Sequence, residues 1–239
     1  MFLSHSDSHG PSWGVAIGAR FVAGADLLGG RHRGLRSVLE AGALREAAAD
    51  AARCLQEGRC RAMPDTLLPT IPDPAHVFCA GLNYAAHAAE TGRSSPTVPR
   101  IFLRAASSLV GHGAPLLRPA VSDCFDYEGE LAVIIGSRAA HVPEERAMDH
   151  VAGYTLFMDG SIRDWQEIST TLGKNFVGTG ALGPGLVPAW EVPDWRRLAL
   201  TTRLNGRVVQ TATLDRMIHG IPALHRMAEP DDPPCCPAM

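Results

Sequence analysis

The stretch Asp126-Tyr-Glu128-Gly-Glu130-Leu sets acidic residues two positions apart. In a strand, side chains at i and i+2 share a face, roughly 6–7 Å apart. At the mouth of an apolar strand Glu128 and Glu130 would repel each other. A hard divalent cation would relieve that repulsion, and oxygen ligands suit Mg²⁺, Mn²⁺ or Ca²⁺. The commoner fate of a bare Glu-x-Glu is a solvated strand end. A second group is Asp159-Gly-Ser-Ile-Arg163-Asp-Trp-Gln166. Asp159 follows an apolar run and precedes a helical segment, where it serves either as an N-cap or as a third metal ligand. Arg163 and Gln166 share a helix face. The arginine offers a fork for a carboxylate; the alternative is a surface helix with a capping Asp. A third group is Gly81-Leu-Asn-Tyr-Ala-Ala-His87-Ala-Ala-Glu90. On a helix His87 and Glu90 lie one turn apart, as a general base for water or as a solvated pair. Lys174, following Gly173, is by itself an ordinary surface lysine.

These residues need elements to position them. Glycine-punctuated apolar residues over 12–29 predict two short strands in a hairpin. Apolar positions at helical spacing predict a helix over 35–57, which Gly42 splits. Prolines at 64, 69, 72 and 74 make 64–76 a linker, since each removes a donor and restricts its predecessor. Beyond it, strands are predicted at 77–80, 128–135 and 154–158. A hairpin over 198–211 turns at Asn205-Gly206, where both residues take positive φ. Short helices fit 84–90, 144–150 and 162–171. Residues 230–239 have no periodicity and read as a disordered tail.

Composition narrows the class. The chain has 239 residues, enough for one large domain or one with a small appendage. With 46% apolar and 20% charged residues it is not a disordered chain. The net charge of −3 leaves no basic stripe for nucleic acid. The apolar run Leu131–Ile135 is too short to span a membrane. The first residues carry no basic region or long apolar stretch, so no signal peptide is expected. Six cysteines without a C-x-x-C pair predict reduced thiols and a cytoplasmic location.

Together and in this order, the motifs resemble the fumarylacetoacetate hydrolase family from Val77 to about Leu224. The resemblance rests on the 81–90, 126–131 and 153–166 segments, with Pro99-Arg-Ile-Phe102, Gly173-Lys-Asn-Phe176, Gly183-Pro184 and Leu204-Asn-Gly-x-x-x-Gln210. It implies a β-rich α+β fold, a mixed β-sandwich roll, with a small N-terminal α/β domain over 1–70 and a catalytic domain over 71–226. It implies a divalent cation (Mg²⁺, Mn²⁺ or Ca²⁺) on Glu128, Glu130 and Asp159, and a water-activating dyad of His87 and Glu90. Lys174 would lie near the metal, Arg163 and Gln166 would contact substrate or organise the site, and 91–98 would form a lid. The implied activity is metal-dependent hydrolysis or lysis of 2-oxo acids or 1,3-dicarbonyl compounds of acylpyruvate or fumarylacetoacetate type. A C–C bond breaks through an enolate that the metal and Lys174 stabilise. The alternatives are a hydratase, isomerase or decarboxylase of hydroxymuconate-type intermediates, and an inactive remnant. The implied partners are a small-molecule substrate and a second copy in a homodimer, with no nucleic acid and no membrane.

Two departures from the family pattern stand out. Arg104 occupies a position where lysine is common, and the two are not equivalent at a fitted site. After about Met227 the family's closing strands, including a Thr-Gly-Thr-Pro segment, are replaced by the Pro- and Cys-containing tail over 227–239. The expectation is a truncated or frame-shifted member whose roll is left open.

Overall fold

The computed structural model describes residues 1–85, 92 and 94–227. The N-terminal region is a meander of three antiparallel strands, β1 (Phe2–Asp7), β2 (Gly10–Ile17) and β3 (Arg20–Ala23). β2 and β3 are the two-strand hairpin expected within 12–29, and β1 is a strand outside that expectation. β1 has only two apolar side chains and no alternation, and 24–30 forms 3-10 turns rather than a strand. Two helices follow, α1 (Leu35–Glu40) and α2 (Leu44–Gln56), parted at Gly42, whose φ is 64°. Their apolar faces, with Leu35, Val38, Leu39, Leu44 and Ala47, cover Trp13, Val15 and Val22 of the meander in one core.

Residues 64–76 form no regular element but are packed. Thr70 is fully buried, its N–H donates to the Leu182 carbonyl and its hydroxyl meets that of Thr155.

The remaining strands are β4 (Phe78–Gly81), β5 (Arg100–Leu103), β6 (Leu109–Val110), β7 (Phe125–Asp126), β8 (Gly129–Ile135), β9 (Val151–Asp159), β10 (Ser161–Ile162), β11 (Gly180–Pro188), β12 (Ala199–Leu204) and β13 (Arg207–Thr213). The main sheet runs β3-β2-β1-β11-β9-β8, with β6 added in parallel to β11. Phe2 of β1 pairs with Leu186 of β11, so one sheet crosses the boundary expected near residue 70. Small pairs β4–β5, β7–β10 and β12–β13 surround it. The β12–β13 turn has Asn205 and Gly206 at φ 50° and 81°, as the Asn-Gly pair predicts.

The helix expected over 162–171 is two helices, α3 (Arg163–Ile168) and α4 (Thr170–Lys174), separated by Ser169 in an extended conformation. The helix expected over 144–150 is 3-10. A last helix, α5 (Ile221–Met227), brings Ile221 into a second core with Val151, Tyr154, Trp195, Leu200 and Leu214. The tail from residue 228 lies outside the described residues. No helix among the described residues is long and apolar enough to cross a membrane. The described cysteines 54, 60, 79 and 124 are free thiols.

Candidate active site

The acidic residues converge because β8 and β9 are neighbours. Gly129 pairs with Met158 and Glu130 with Phe157, and the Asp159 N–H donates to the Glu128 carbonyl at 2.7 Å. Asp159 ends a strand paired on both sides, since Gly180 of β11 faces it from the other edge. β7 pairs with β10, which brings Asp126 opposite Ser161 and beside the start of α3.

Lys174 is the surprise of this cluster. A surface position is its default, yet it is 2% exposed. Its ammonium donates to Glu128 Oε2, to Asp159 Oδ2 (2.6 Å) and to the Asp159 carbonyl, and it lies 5.4 Å from the Phe102 ring centre. Gly173 explains how α4 delivers it. A Cβ at 173 would lie 2.6 Å from the Gln166 backbone nitrogen, so only glycine lets α4 pack this close to α3.

Arg163 is engaged by protein groups. Its Nε and Nη2 donate to Asp126 Oδ2 at 2.9 and 2.7 Å, and its Nη1 donates to Gln166 Oε1 and pairs with Glu128 Oε1 at 2.7 Å. An arginine only donates, so this contact fixes the Gln166 amide with its oxygen toward Arg163. The other oxygen of Asp159, Oδ1, is held by Arg104, whose guanidinium is fully buried.

Three cations therefore face four carboxylates, and the charge is uneven. Burial pushes the Glu128 carboxyl up, but Lys174 and Arg163 outweigh it and hold Glu128 below the usual range. No lysine or arginine among the described residues pairs with Glu130. Burial first, then the Glu128 and Asp159 charges, push its carboxyl up to about 8. Cys79 on β4 is pushed up to about 12, by burial and then by Asp159.

As the side chains stand, no group of three or more His, Cys, Asp and Glu among the described residues is arranged to hold a metal ion. The Lys174 ammonium fills the space between Glu128 and Asp159. The donor chemistry still fits a hard divalent cation: three carboxylates on adjacent chain segments, where burial and then the charges of Glu128 and Asp159 raise the Glu130 carboxyl. That like-charge pressure is what a cation relieves.

The site opens into a cleft of about 2600 Å³ lined by residues of β4, β5, β8, β12 and β13. Small-ligand sites occupy roughly 300–1,000 Å³, so this volume alone selects no substrate. Tyr84 lines it, with a buried hydroxyl that has no hydrogen-bond partner among the described residues. Of the expected residues, Glu128, Glu130, Asp159, Lys174, Arg163 and Gln166 come together here. His87 and Glu90 lie outside the described residues, as does part of the expected lid, 91–98. The sequence reading assigns no role in the site to Asn83, Arg104, Asp126 and Gln210. The i, i+2 spacing of Asp126 with Glu128 and the motif positions of Asn83, Arg104 and Gln210 are the signals the sequence carries; their partners lie at distances that spacing does not reveal.

Relatives and solved structures point the same way. The mitochondrial oxaloacetate tautomerase fahd2 of Xenopus laevis is 39% identical over 163 residues, covering 66% of this chain and 51% of its own length. The chain spans about half the length of the curated tautomerases it matches. The fumarylacetoacetate hydrolase of Exiguobacterium antarcticum superposes with a TM-score of 0.77 at 26% identity, covering 94% of this chain and 79% of that one. At 24% identity, the maleylpyruvate hydrolase of Sphingobium, solved with manganese(II) and pyruvate, shares the fold at a TM-score of 0.78, covering 96% of this chain and 83% of its own. The family model described as fumarylacetoacetate (FAA) hydrolase C-terminal matches residues 76–228, which hold every candidate residue named above. The chain belongs to the fumarylacetoacetate hydrolase family.

Proposed function

We propose that this chain carries the site of a divalent-cation-dependent enzyme acting on 2-oxo acids or 1,3-dicarbonyl compounds through an enolate. One observation carries the reading: Glu128 and Asp159 converge on one buried lysine, with Glu130 two residues from Glu128 on the strand paired with that of Asp159. Glu128, Glu130 and Asp159 would hold the cation, which when bound chelates a 2-oxo acid and polarises its carbonyl as a Lewis acid. Lys174 supplies positive charge where an enolate oxygen develops. Arg163 holds Glu128 and turns the Gln166 amide so that its N–H groups remain available to a substrate oxygen. His87, backed by Glu90, would deprotonate the water that attacks the second carbonyl. The active unit is a homodimer in this reading.

Hydrolytic C–C cleavage is the first form of the proposal. Keto–enol tautomerisation is the second, favoured by the relatives named oxaloacetate tautomerases. It needs only enolate stabilisation and proton transfer, without a nucleophilic water. Two assays with Mn²⁺ separate them: cleavage of an acylpyruvate, and decay of the enol absorbance of oxaloacetate. Activity in either that Glu128→Ala abolishes supports the reading. A folded chain that binds no Mn²⁺ in calorimetry overturns it.

A further inference from the structure

Arg104 follows β5 and its side chain is fully buried. The surrounding acceptors are arranged for a flat, all-donor group. Nη1 serves Asp159 Oδ1 and the Gly160 carbonyl (3.2 Å), Nη2 serves Thr179 Oγ1 (2.9 Å), and Nε serves Ser108 Oγ (3.2 Å). The Phe157 ring centre lies 5.3 Å from Cζ. Thr179 and Ser108 are themselves fully buried. Each has already spent its hydroxyl proton, Thr179 on the Phe176 carbonyl (2.8 Å) and Ser108 on the Ala105 carbonyl (2.7 Å). Toward Arg104 both can therefore only accept. Gly180 leaves room for the guanidinium: a Cβ there would fall 2.8 Å from Nη2.

We infer that Arg104 is a positioning residue for cation binding: it fixes the Asp159 carboxylate by one oxygen and leaves the other turned to the cluster. The inference rests on the proposed cation site and adds a residue to it. Three features favour this over a purely structural ion pair. First, Oδ1 of Asp159 is held by Arg104 while Oδ2 faces Lys174, so the two oxygens are given different tasks. Second, the guanidinium is oriented by partners outside the cluster, Ser108 before β6 and Thr179 before β11, which lets it serve as a fixed reference for Asp159. Third, a lysine could not serve the same acceptors. An ammonium is a point donor on a flexible stem and cannot span Ser108, Thr179 and Asp159 in one plane. Groups that orient a ligand from outside the metal's own shell typically change affinity 10–100-fold when altered.

The test is the Mn²⁺ dissociation constant, measured by calorimetry on the whole chain, with thermal melts and circular dichroism as folding controls. Arg104→Lys is expected to weaken Mn²⁺ binding about tenfold or more. Thr179→Val and Ser108→Ala each remove one acceptor and keep the guanidinium, and are expected to weaken binding severalfold with an unchanged far-ultraviolet spectrum. If Arg104→Lys does not fold, these two variants decide. Unaltered Mn²⁺ affinity in folded Arg104→Lys, or in both acceptor variants, overturns the inference while leaving the cation site standing. Failure of the unaltered chain to bind Mn²⁺ overturns the cation site and the inference together.

Discussion

The side-chain amide of Gln210 pairs with the backbone of Gly129 as a neighbouring strand would. Its Oε1 accepts the Gly129 N–H and its Nε2 donates to the Gly129 carbonyl, both at 2.9 Å. Thr202 completes the contact by donating to the same Oε1 at 3.0 Å. This clamp grips the residue between Glu128 and Glu130, so the β12–β13 hairpin sets where both carboxylates stand. Only glycine fits there, since a Cβ at 129 would lie 2.0 Å from Thr202 Oγ1.

Gln210→Ala should therefore cost about 3 kcal/mol of folding stability, from three lost hydrogen bonds of about 1 kcal/mol each. Gly129→Ala should cost about 3 kcal/mol through overpacking. Urea denaturation gives both values, and a loss below about 0.5 kcal/mol in each would mean that the clamp is ornamental.

A second carboxamide plays the same part. Asn83 Nδ2 donates to the His219 carbonyl and its Oδ1 accepts the His219 N–H, both at 2.9 Å. Asn83→Ala should destabilise the fold by about 2 kcal/mol. Asn83→Asp keeps the acceptor and loses the donor, and should fall between the two. Equal stability of all three by urea melts would contradict this.

Lys174→Met would leave Glu128 and Asp159 without the ammonium they share. Breaking a buried ion pair by removing one partner costs about 3–5 kcal/mol. The loss should sit near the lower end, because Arg163 and Arg104 still hold one oxygen each. Mn²⁺ should recover part of it, and EDTA should return it. Melting temperatures in the two buffers read this directly, and no difference between them would place the cation elsewhere.

Alkali should weaken the fold in a defined window. Burial holds the Cys79 thiol protonated up to about 12 against an ordinary value of 9.0, and the Tyr84 hydroxyl up to about 12 against 10.0. The unfolded chain loses both protons first, so the folded state binds more protons between about pH 9 and 12. Stability falls as pH rises through that window. Cys79→Ser combined with Tyr84→Phe should flatten the decline in urea titrations. Tyr84→Phe should cost little at pH 7, since the hydroxyl it removes has no partner among the described residues.

Much of the sheet was legible in the residues. The run Glu128–Ile135 read as a strand and β8 is one; Tyr154–Met158 read as a strand and lies inside β9. Asn205-Gly206 fixed the last hairpin through its turn chemistry. β11 was not legible, because Gly-Ala-Leu-Gly-Pro-Gly-Leu-Val-Pro has the composition of a loop. Its glycines answer to packing instead: a Cβ at Gly185 would lie 2.4 Å from the Phe2 carbonyl of β1. Glu128 and Glu130 could be read from their i, i+2 spacing, and Asp159 from its place at the end of an apolar run. Their cationic partners could not, since Arg104 and Asp159 stand 55 residues apart and meet only through the sheet topology.

The Asn83–His219 pairing closes a loop of 136 residues. A closure of that length is entropically costly until the intervening chain is already compact. The pairing is therefore expected to form late in folding and to open early in unfolding. Loss of Asn83 should show itself as faster unfolding with a nearly unchanged folding rate.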